Sequence, residues 1–579
     1  MNFDTTALFK TIQAWEEEFN DVSSSLSQVE ALKGKLNDST TLLKALETFY
    51  ALENRIQKLY IYIHLNHDTK MAEPLFIEKK HILDSVITKF YTITAYISPE
   101  LKNLSEDYLN SCIEDERFSD YSTVLLDSLR SRPHTLSEKE EKLLSAIDFD
   151  EGFDDVYSTL TNVNFTFKGF YEDGKKYPLT DATYIHYLEN NNRAVRKKAF
   201  NNYYATYKKF NDTIATNFIY SLKEAKFRAQ TRNHEGALEK RLFAYNLDKN
   251  IYYSLIKNVN NNLNLIYRYY EICKKVTGIE DFTYYDLYLS ISEFDKKITY
   301  AESIELIKKA VAPLSNEYQE LVDRADKERW IDVYPKKNKR SGAYETAAYG
   351  VHPYILTNFT DNVESCFTLI HELGHAMHTY FTNKVQPFAK SDYSIYLAEI
   401  ASTVNEILLL KYLLNNTSNK QEKLYYVDKY IKMFKGTVYR QTMFSEFEDF
   451  AHNLVKENKP ISMTILNEFY GNLNKKYFPA CVKYNENISY EWSRIPHFYS
   501  PFYVFNYATS FTAAVVIAHK ILESEDNAKK YLHFLSCGSS KYPNELLNEL
   551  GVDLSKDETY SISFGELKNA IDTLEELIK

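Results

Sequence analysis

The stretch FTLIHELGHAMHTYF, Phe367 to Phe381, holds three histidines and one glutamate at helical spacing. At about 100° per residue, Val363, Cys366, Ile370, Leu373 and Met377 fall on one side of a helix. Glu364, Thr368, His371, His375 and His378 fall on another, so the histidines form a polar face beside the apolar stripe. His371 and His375 stand about one turn apart, which lets both imidazoles reach one ion. Glu372 projects beside that ion rather than onto it. This is the HExxH arrangement: two metal ligands with an adjacent carboxylate free to act as a base. An N-cap at Thr360 or Asp361 is expected to start the helix, with Glu364 as the capping-box acid if Asp361 is the cap. The competing reading is a solvated histidine face with no metal, and the rest of the chain has to decide.

A catalytic zinc needs a third protein ligand and an open position. The next helical pattern, YLAEIASTVNEILLLKYL (Tyr396 to Leu413), offers one. Glu399 shares a face with Ser402 and Glu406, while Ile400, Val404 and Ile407 form an apolar side. A buried carboxylate on such a helix is costly unless it is paired or metal-bound. The intervening KVQPFAKSD gives the first helix room to end and the chain room to return. A third cluster, RIPHFYSPFYVFNYATSF (Arg494 to Phe511), carries His497, Tyr499, Tyr503 and Tyr507. Peptide hydrolysis makes a tetrahedral oxyanion, which a tyrosine hydroxyl or a protonated imidazole can stabilise. The chain has 49 tyrosines, so any one of them is more often core or surface than catalytic.

Composition narrows the class. The 579 residues are 44% hydrophobic and 26% charged, as in a globular protein too long for one small core. A formal net charge of −11 argues against a nucleic-acid partner. The one basic run, Lys336, Lys337, Lys339 and Arg340, reads as a solvated loop. Only 14 glycines are present and no glycine-rich phosphate loop is among them, which favours long helices with short connections. The five cysteines are widely spaced and lack a CxxC pair, which predicts no disulfide framework and a reducing, cytoplasmic location. The N-terminus lacks a basic and apolar leader, and the aliphatic run Ala513 to Ala518 is far too short to span a bilayer. No membrane partner is expected.

Periodicity of three and four predicts helices from about Thr5 to Leu125 (Leu42, Leu46, Phe49, Leu52, Ile56, Leu59). The charged segment Glu138 to Lys142 reads as an exposed helix start. A small β patch follows at Asn164 to Thr180, with a hairpin turn at Asp173-Gly174. Helical patterning returns after Tyr184. A second extended segment runs from Trp330 to Phe359, and helices continue to the end apart from the aromatic stretch Pro496 to Asn506. The expected organisation is mainly α, with residues 1–180 as a helical N-terminal domain and 181–579 as the domain that bears the site.

With these clusters in view, the chain resembles the oligoendopeptidase F branch of the thimet-oligopeptidase-like zinc metallopeptidases. The resemblance covers most of the chain. It rests on YYDLY (Tyr284 to Tyr288), KRSGAY (Lys339 to Tyr344), HPYILTNF (His352 to Phe359), HELGHAMH (His371 to His378), EIAST (Glu399 to Thr403), RIPHFY (Arg494 to Tyr499) and FNYAT (Phe505 to Thr509). It implies an elongated helical body with a deep central channel and small β insertions near the zinc site. It implies one zinc per chain on His371, His375 and Glu399, Glu372 as general base, and short unstructured peptides as substrates cut at internal bonds. HPYILTNF looks like the family's strand that pairs with the substrate main chain. His497 with Tyr503 and Tyr507 match the family's transition-state donors. The glycine-rich form of that loop is absent here, so Tyr499 stays an alternative. Two other readings remain: a helical HExxH carboxypeptidase, which should carry a group that captures a free carboxylate, and a catalytically silent peptide-binding protein, which should fail to hold metal.

Overall fold

The computed structural model describes residues 3–145, 152–292, 294 and 296–579, and these are predominantly helical. Helices α1 (Ser39–Thr69), α2 (Leu263–Thr277), α3 (Val363–Val385), α4 (Ile395–Asn416), α5 (Lys420–Met433), α6 (Arg440–Lys456) and α7 (Phe505–Glu523) carry the features described below. Five short strands accompany them: β1 (Phe170–Glu172), β2 (Lys175–Tyr177), β3 (Ile331–Asp332), β4 (Tyr344–Thr346) and β5 (Tyr354–Leu356). The mainly α class with small β insertions is therefore as expected. Among the described residues no helix is long and apolar enough to cross a membrane.

Two compact units are interleaved along the sequence. The first comprises residues 1–138, 295–413 and 514–552; the second comprises 139–294, 414–513 and 553–579. Compactness thus follows a different division from the chain-order boundary expected near residue 180.

In the first unit, α1 starts at Asp38, whose carboxylate accepts the Thr41 amide at 2.9 Å. Its apolar positions, Leu42, Leu46, Leu52, Ile56 and Leu59, are all buried, as their spacing predicts. The extended segment forms a three-stranded sheet in the order β3-β5-β4. β3 pairs parallel with β5, and β4 pairs antiparallel with it, Glu345 opposite Ile355. β5 is fully buried in the centre of this sheet. The expectation that the HPYILTNF strand is itself the one open to a substrate main chain is therefore corrected: both its edges are taken, and β4 is an edge strand. The basic run is corrected at Lys339 alone, since Lys336, Lys337 and Arg340 are exposed as a solvated loop requires. Lys339 is wholly buried and its ammonium lies 2.6 Å from the equally buried Asp332, which also pairs with Lys336 at 2.8 Å. Arg340 pairs with Asp68. The Lys339–Asp332 pair is a buried clamp on the sheet, and a buried charge persists only when so paired.

The HExxH helix α3 is capped by Asn362, which accepts the Ser365 amide at 2.8 Å. Asp361, one of the two caps expected, instead takes a left-handed backbone with φ 49°. Val363, Cys366, Ile370, Leu373 and Met377 are buried, but so are Phe367, Leu369, Ala376 and Phe381. The helix is enclosed nearly all round, and only part of its histidine face reaches the surface. Gly374, between the two histidines of the motif, lets α4 approach. A Cβ there would stand 2.5 Å from the Ser402 Cα and 2.7 Å from the Ala401 carbonyl oxygen. Asn405 ties the pair further: its amide donates to the Ile370 carbonyl at 3.3 Å and its oxygen accepts the Tyr318 hydroxyl at 3.0 Å.

In the second unit, β1 and β2 form the expected hairpin, with Asp173 and Gly174 both at positive φ. The YYDLY segment is structural: buried Asp286 pairs with Arg196 at 2.7 Å and Arg193 at 3.1 Å. Arg494 of RIPHFY is packed over the rings of Tyr184 and Tyr203, at 5.2 and 5.0 Å. A π-helical turn, Phe434–Tyr439, joins α5 to α6.

The contact at Gly374 makes a direct prediction. Gly374→Ala has to push α3 and α4 apart, costing about 1–3 kcal/mol by overpacking. Thermal unfolding should show a lower midpoint, and metal affinity should fall with it. An unchanged midpoint with unchanged metal affinity would contradict the close approach.

Candidate metal centre

The site is built on that helix contact. His371 and His375 project from α3, and Glu399 from the N-terminal part of α4. One ligand atom from each lies within 4.8 Å of the others, and this is the one such group of three or more among the described residues. His371 Nε2 stands 3.6 Å, and His375 Nε2 3.8 Å, from Glu399 Oε2. Tetrahedral zinc, with bonds of about 2.0–2.1 Å, needs donor atoms roughly 3.3 Å apart, so small side-chain adjustments suffice. Two imidazoles and one carboxylate are also a donor set suited to catalytic zinc. The residues present therefore fit a metal.

Glu406 is the group that sequence reading placed on the right face without giving it a role. Its carboxylate accepts the His371 Nδ1–H at 2.5 Å. That contact fixes the tautomer, leaves Nε2 toward the cluster, and makes the imidazole a stronger donor. Ser402 donates to the Glu399 carboxylate at 3.2 Å and holds it in turn. The signal was present in the sequence: Glu406 lies two turns beyond Glu399 on one helix face.

Electrostatics in the site follow from burial and crowded acids. For Glu372, burial is the largest influence, with the charges of Glu399 and Glu406 adding to it; His371 opposes, and the carboxyl is pushed up to about 7. For His371, burial disfavours the charged form, but the hydrogen bond and charge of Glu406, then Glu372 and Glu399, outweigh it and lift the imidazole to about 9. His375 is pushed down by burial and by the charge of His371. The Glu345 amide on β4 donates to the Glu372 carboxylate. Glu345 itself is half-buried, its own carboxyl is pushed up to about 8 mainly by desolvation, and its Oε1 has no hydrogen-bond partner. Nothing in the local sequence AYETAA singled it out.

His378 shares the helix but not the site. It is 1% exposed, stacks on Tyr393 at 3.7 Å between centroids, and is held neutral by burial, which pushes it down to about 3. His497, Tyr503 and Tyr507 lie in the second unit and form a cluster there. Their ring centroids are 5.4 to 6.2 Å apart. Tyr499 turns away from that cluster, with its hydroxyl on Asn217 at 3.1 Å and its ring against Tyr157.

An HExxH helix with a glutamate from the following helix is the donor pattern of a zinc metallopeptidase site. Comparison with known proteins agrees. Residues 186–566 match the model of "Peptidase family M3", and residues 100–167 match that of "Oligopeptidase F". Oligopeptidase PepF of Bacillus subtilis is 37% identical over 577 residues, covering 99% of this chain and 86% of its own length. Group B oligopeptidase PepB of Streptococcus agalactiae is 34% identical, covering 100% of this chain and 97% of its own. The crystal structure of oligoendopeptidase-F from Enterococcus faecium superposes with a TM-score of 0.75 at 30% identity, over 98% of this chain and 99% of that one. The chain belongs to peptidase family M3, and it is a metallopeptidase.

Glu406→Gln should keep the fold but weaken metal binding about 10- to 100-fold, the usual cost of losing such a partner. Competition with a chelator checks this. A second outcome follows from His371. Because its metal-free imidazole is lifted to about 9, metal must displace a proton from it below that pH. Apparent metal affinity should therefore fall by about tenfold per unit as pH drops below 9, a slope that an unprotonated site would not show.

Proposed function

We propose that the chain is a zinc-dependent endopeptidase that hydrolyses internal peptide bonds of short, unstructured peptides. The observation that carries this reading is the convergence of His371, His375 and Glu399 beside a buried carboxyl, Glu372, one residue from the first ligand. Zinc, held by those three side chains, would supply Lewis acidity toward a water and the peptide carbonyl. Glu372 takes the proton of the attacking water and returns it to the leaving amine nitrogen. In the metal-free site burial, with the charges of Glu399 and Glu406, pushes its carboxyl up to about 7, so it holds a proton more readily than an ordinary carboxylate. The Glu345 amide holds the Glu372 carboxylate in position. Its strand, β4, has an edge on which an extended peptide main chain can lie.

His497 and the hydroxyls of Tyr503 and Tyr507 are assigned as donors to the oxyanion. The mutual packing of these rings supports this choice over Tyr499, whose hydroxyl is engaged elsewhere. The substrate class is supported by the relatives' names, oligopeptidase and oligoendopeptidase. A cytoplasmic location is supported by five free cysteines, four of them buried.

The test is to incubate the protein with a short unstructured peptide, with and without chelator, and to identify the products by mass. Internal cuts that vanish with chelator and return with zinc are expected. A ladder from the C-terminus would replace the reading with a carboxypeptidase, and no cleavage with zinc bound would replace it with a binding protein. Glu372→Gln should abolish cleavage with metal still bound. Tyr507→Phe and His497→Ala should each lower kcat by about 100-fold or more, while KM changes little.

A further inference from the structure

A cavity of about 290 Å³ opens in the second unit, and no residue assigned to catalysis lines it. Its walls include Tyr270 of α2, Tyr288, Lys435, Arg440, Met443 and Phe478. The π-helical turn between α5 and α6 forms one side. Such turns interrupt a regular helix and are frequent at functional sites.

Here the turn carries Lys435 into an aromatic wall. Its Nζ lies 5.7 and 5.4 Å from the ring centroids of Tyr270 and Tyr288 and donates to the Leu287 carbonyl at 2.9 Å. The neighbouring cations are matched by carboxylates: Lys432 by Asp428 at 2.7 Å, and Arg440 by Glu491 at 2.8 Å. Among the described residues no carboxylate pairs with Lys435. Burial pushes its ammonium down to about 8, the signature of a cation held without a full counter-charge. Gly436 lines the cavity, and a Cβ there would meet nothing within 4 Å, so a larger side chain has room at this position. The volume stands at the small end of ligand pockets, which run from roughly 300 to 1,000 Å³.

We propose that this cavity binds a small apolar carboxylate, its charge on Lys435 and its apolar body against the aromatic wall. The mostly apolar lining and the single unmatched cation favour a monoanion over phosphate. Glu189, exposed at the rim, disfavours multiply charged anions and accommodates an ammonium at the far end of a zwitterion. Two sources carry this chemistry: a free aromatic acid, and the C-terminal end of a short hydrophobic peptide.

Isothermal titration calorimetry of the zinc-loaded protein distinguishes them, with hydrocinnamate and the dipeptide Leu-Phe as probes, each beside its neutral amide. Either acid should bind, and its amide about tenfold or more weakly. Binding of hydrocinnamate indicates a free acid; binding of Leu-Phe alone indicates a peptide end. A carboxylate can also meet the metal centre, so two variants decide the site. Lys435→Met replaces an unmatched buried cation with an apolar side chain of similar length, so it should fold and lose this binding. Gly436→Leu fills the cavity without touching the charge and should lose it as well. Binding retained in both variants, amides as tight as acids, or no binding of either acid in the millimolar range would overturn the proposal.

Discussion

The contact between α3 and α4 at Gly374 is too close for a methyl group, and the metal centre depends on it. Ser402 stands where the helices touch. One turn before it, Glu399 reaches the Nε2 side of His371; one turn after it, Glu406 reaches the Nδ1 side. A single imidazole is thus held between two carboxylates of one neighbouring helix. Any side chain at position 374 would move both carboxylates away together. The glycine thus sets how far Glu399 stands from His371 and His375, the three candidate ligands.

The same closeness crowds charge. Glu372, Glu399 and Glu406 surround two imidazoles in a largely buried space. Burial raises the Glu372 carboxyl first and the charges of Glu399 and Glu406 add to it, while the hydrogen bond and charge of Glu406 lift the His371 imidazole against its burial. A divalent cation held by His371, His375 and Glu399 would add positive charge beside Glu372 and so favour its charged form. Metal binding and the charge of Glu372 would in this sense be coupled. Burial favours the neutral form of both His378 behind the candidate ligands and Glu345 beside Glu372.

Much of this was legible in the sequence because helical periodicity is local. His371, Glu372 and His375 declare their geometry within one turn, and Glu399 and Glu406 share a face that can be read from their spacing. The hairpin at Asp173-Gly174 is equally local. What was not legible depends on partners remote in sequence. The central position of β5 is decided by β3, and Lys339 is a buried clamp because Asp332 lies beside it rather than solvent. His378 looks like part of the histidine face until Tyr393 covers it. Asn362 caps α3 in place of Asp361 because the backbone turns left-handed at Asp361, which no periodicity foretells. Glu345 becomes visible only when the amide of its strand meets the Glu372 carboxylate.

The central claim is that two imidazoles and one carboxylate hold a single metal at this helix contact. X-ray absorption at the zinc edge of the purified protein tests it most directly, with His375→Ala as the control. The account predicts nitrogen and oxygen neighbours at about 2.0–2.1 Å, no sulfur, and loss of the metal in the variant. Sulfur in the coordination shell, or a spectrum and metal content unchanged in His375→Ala, would contradict it.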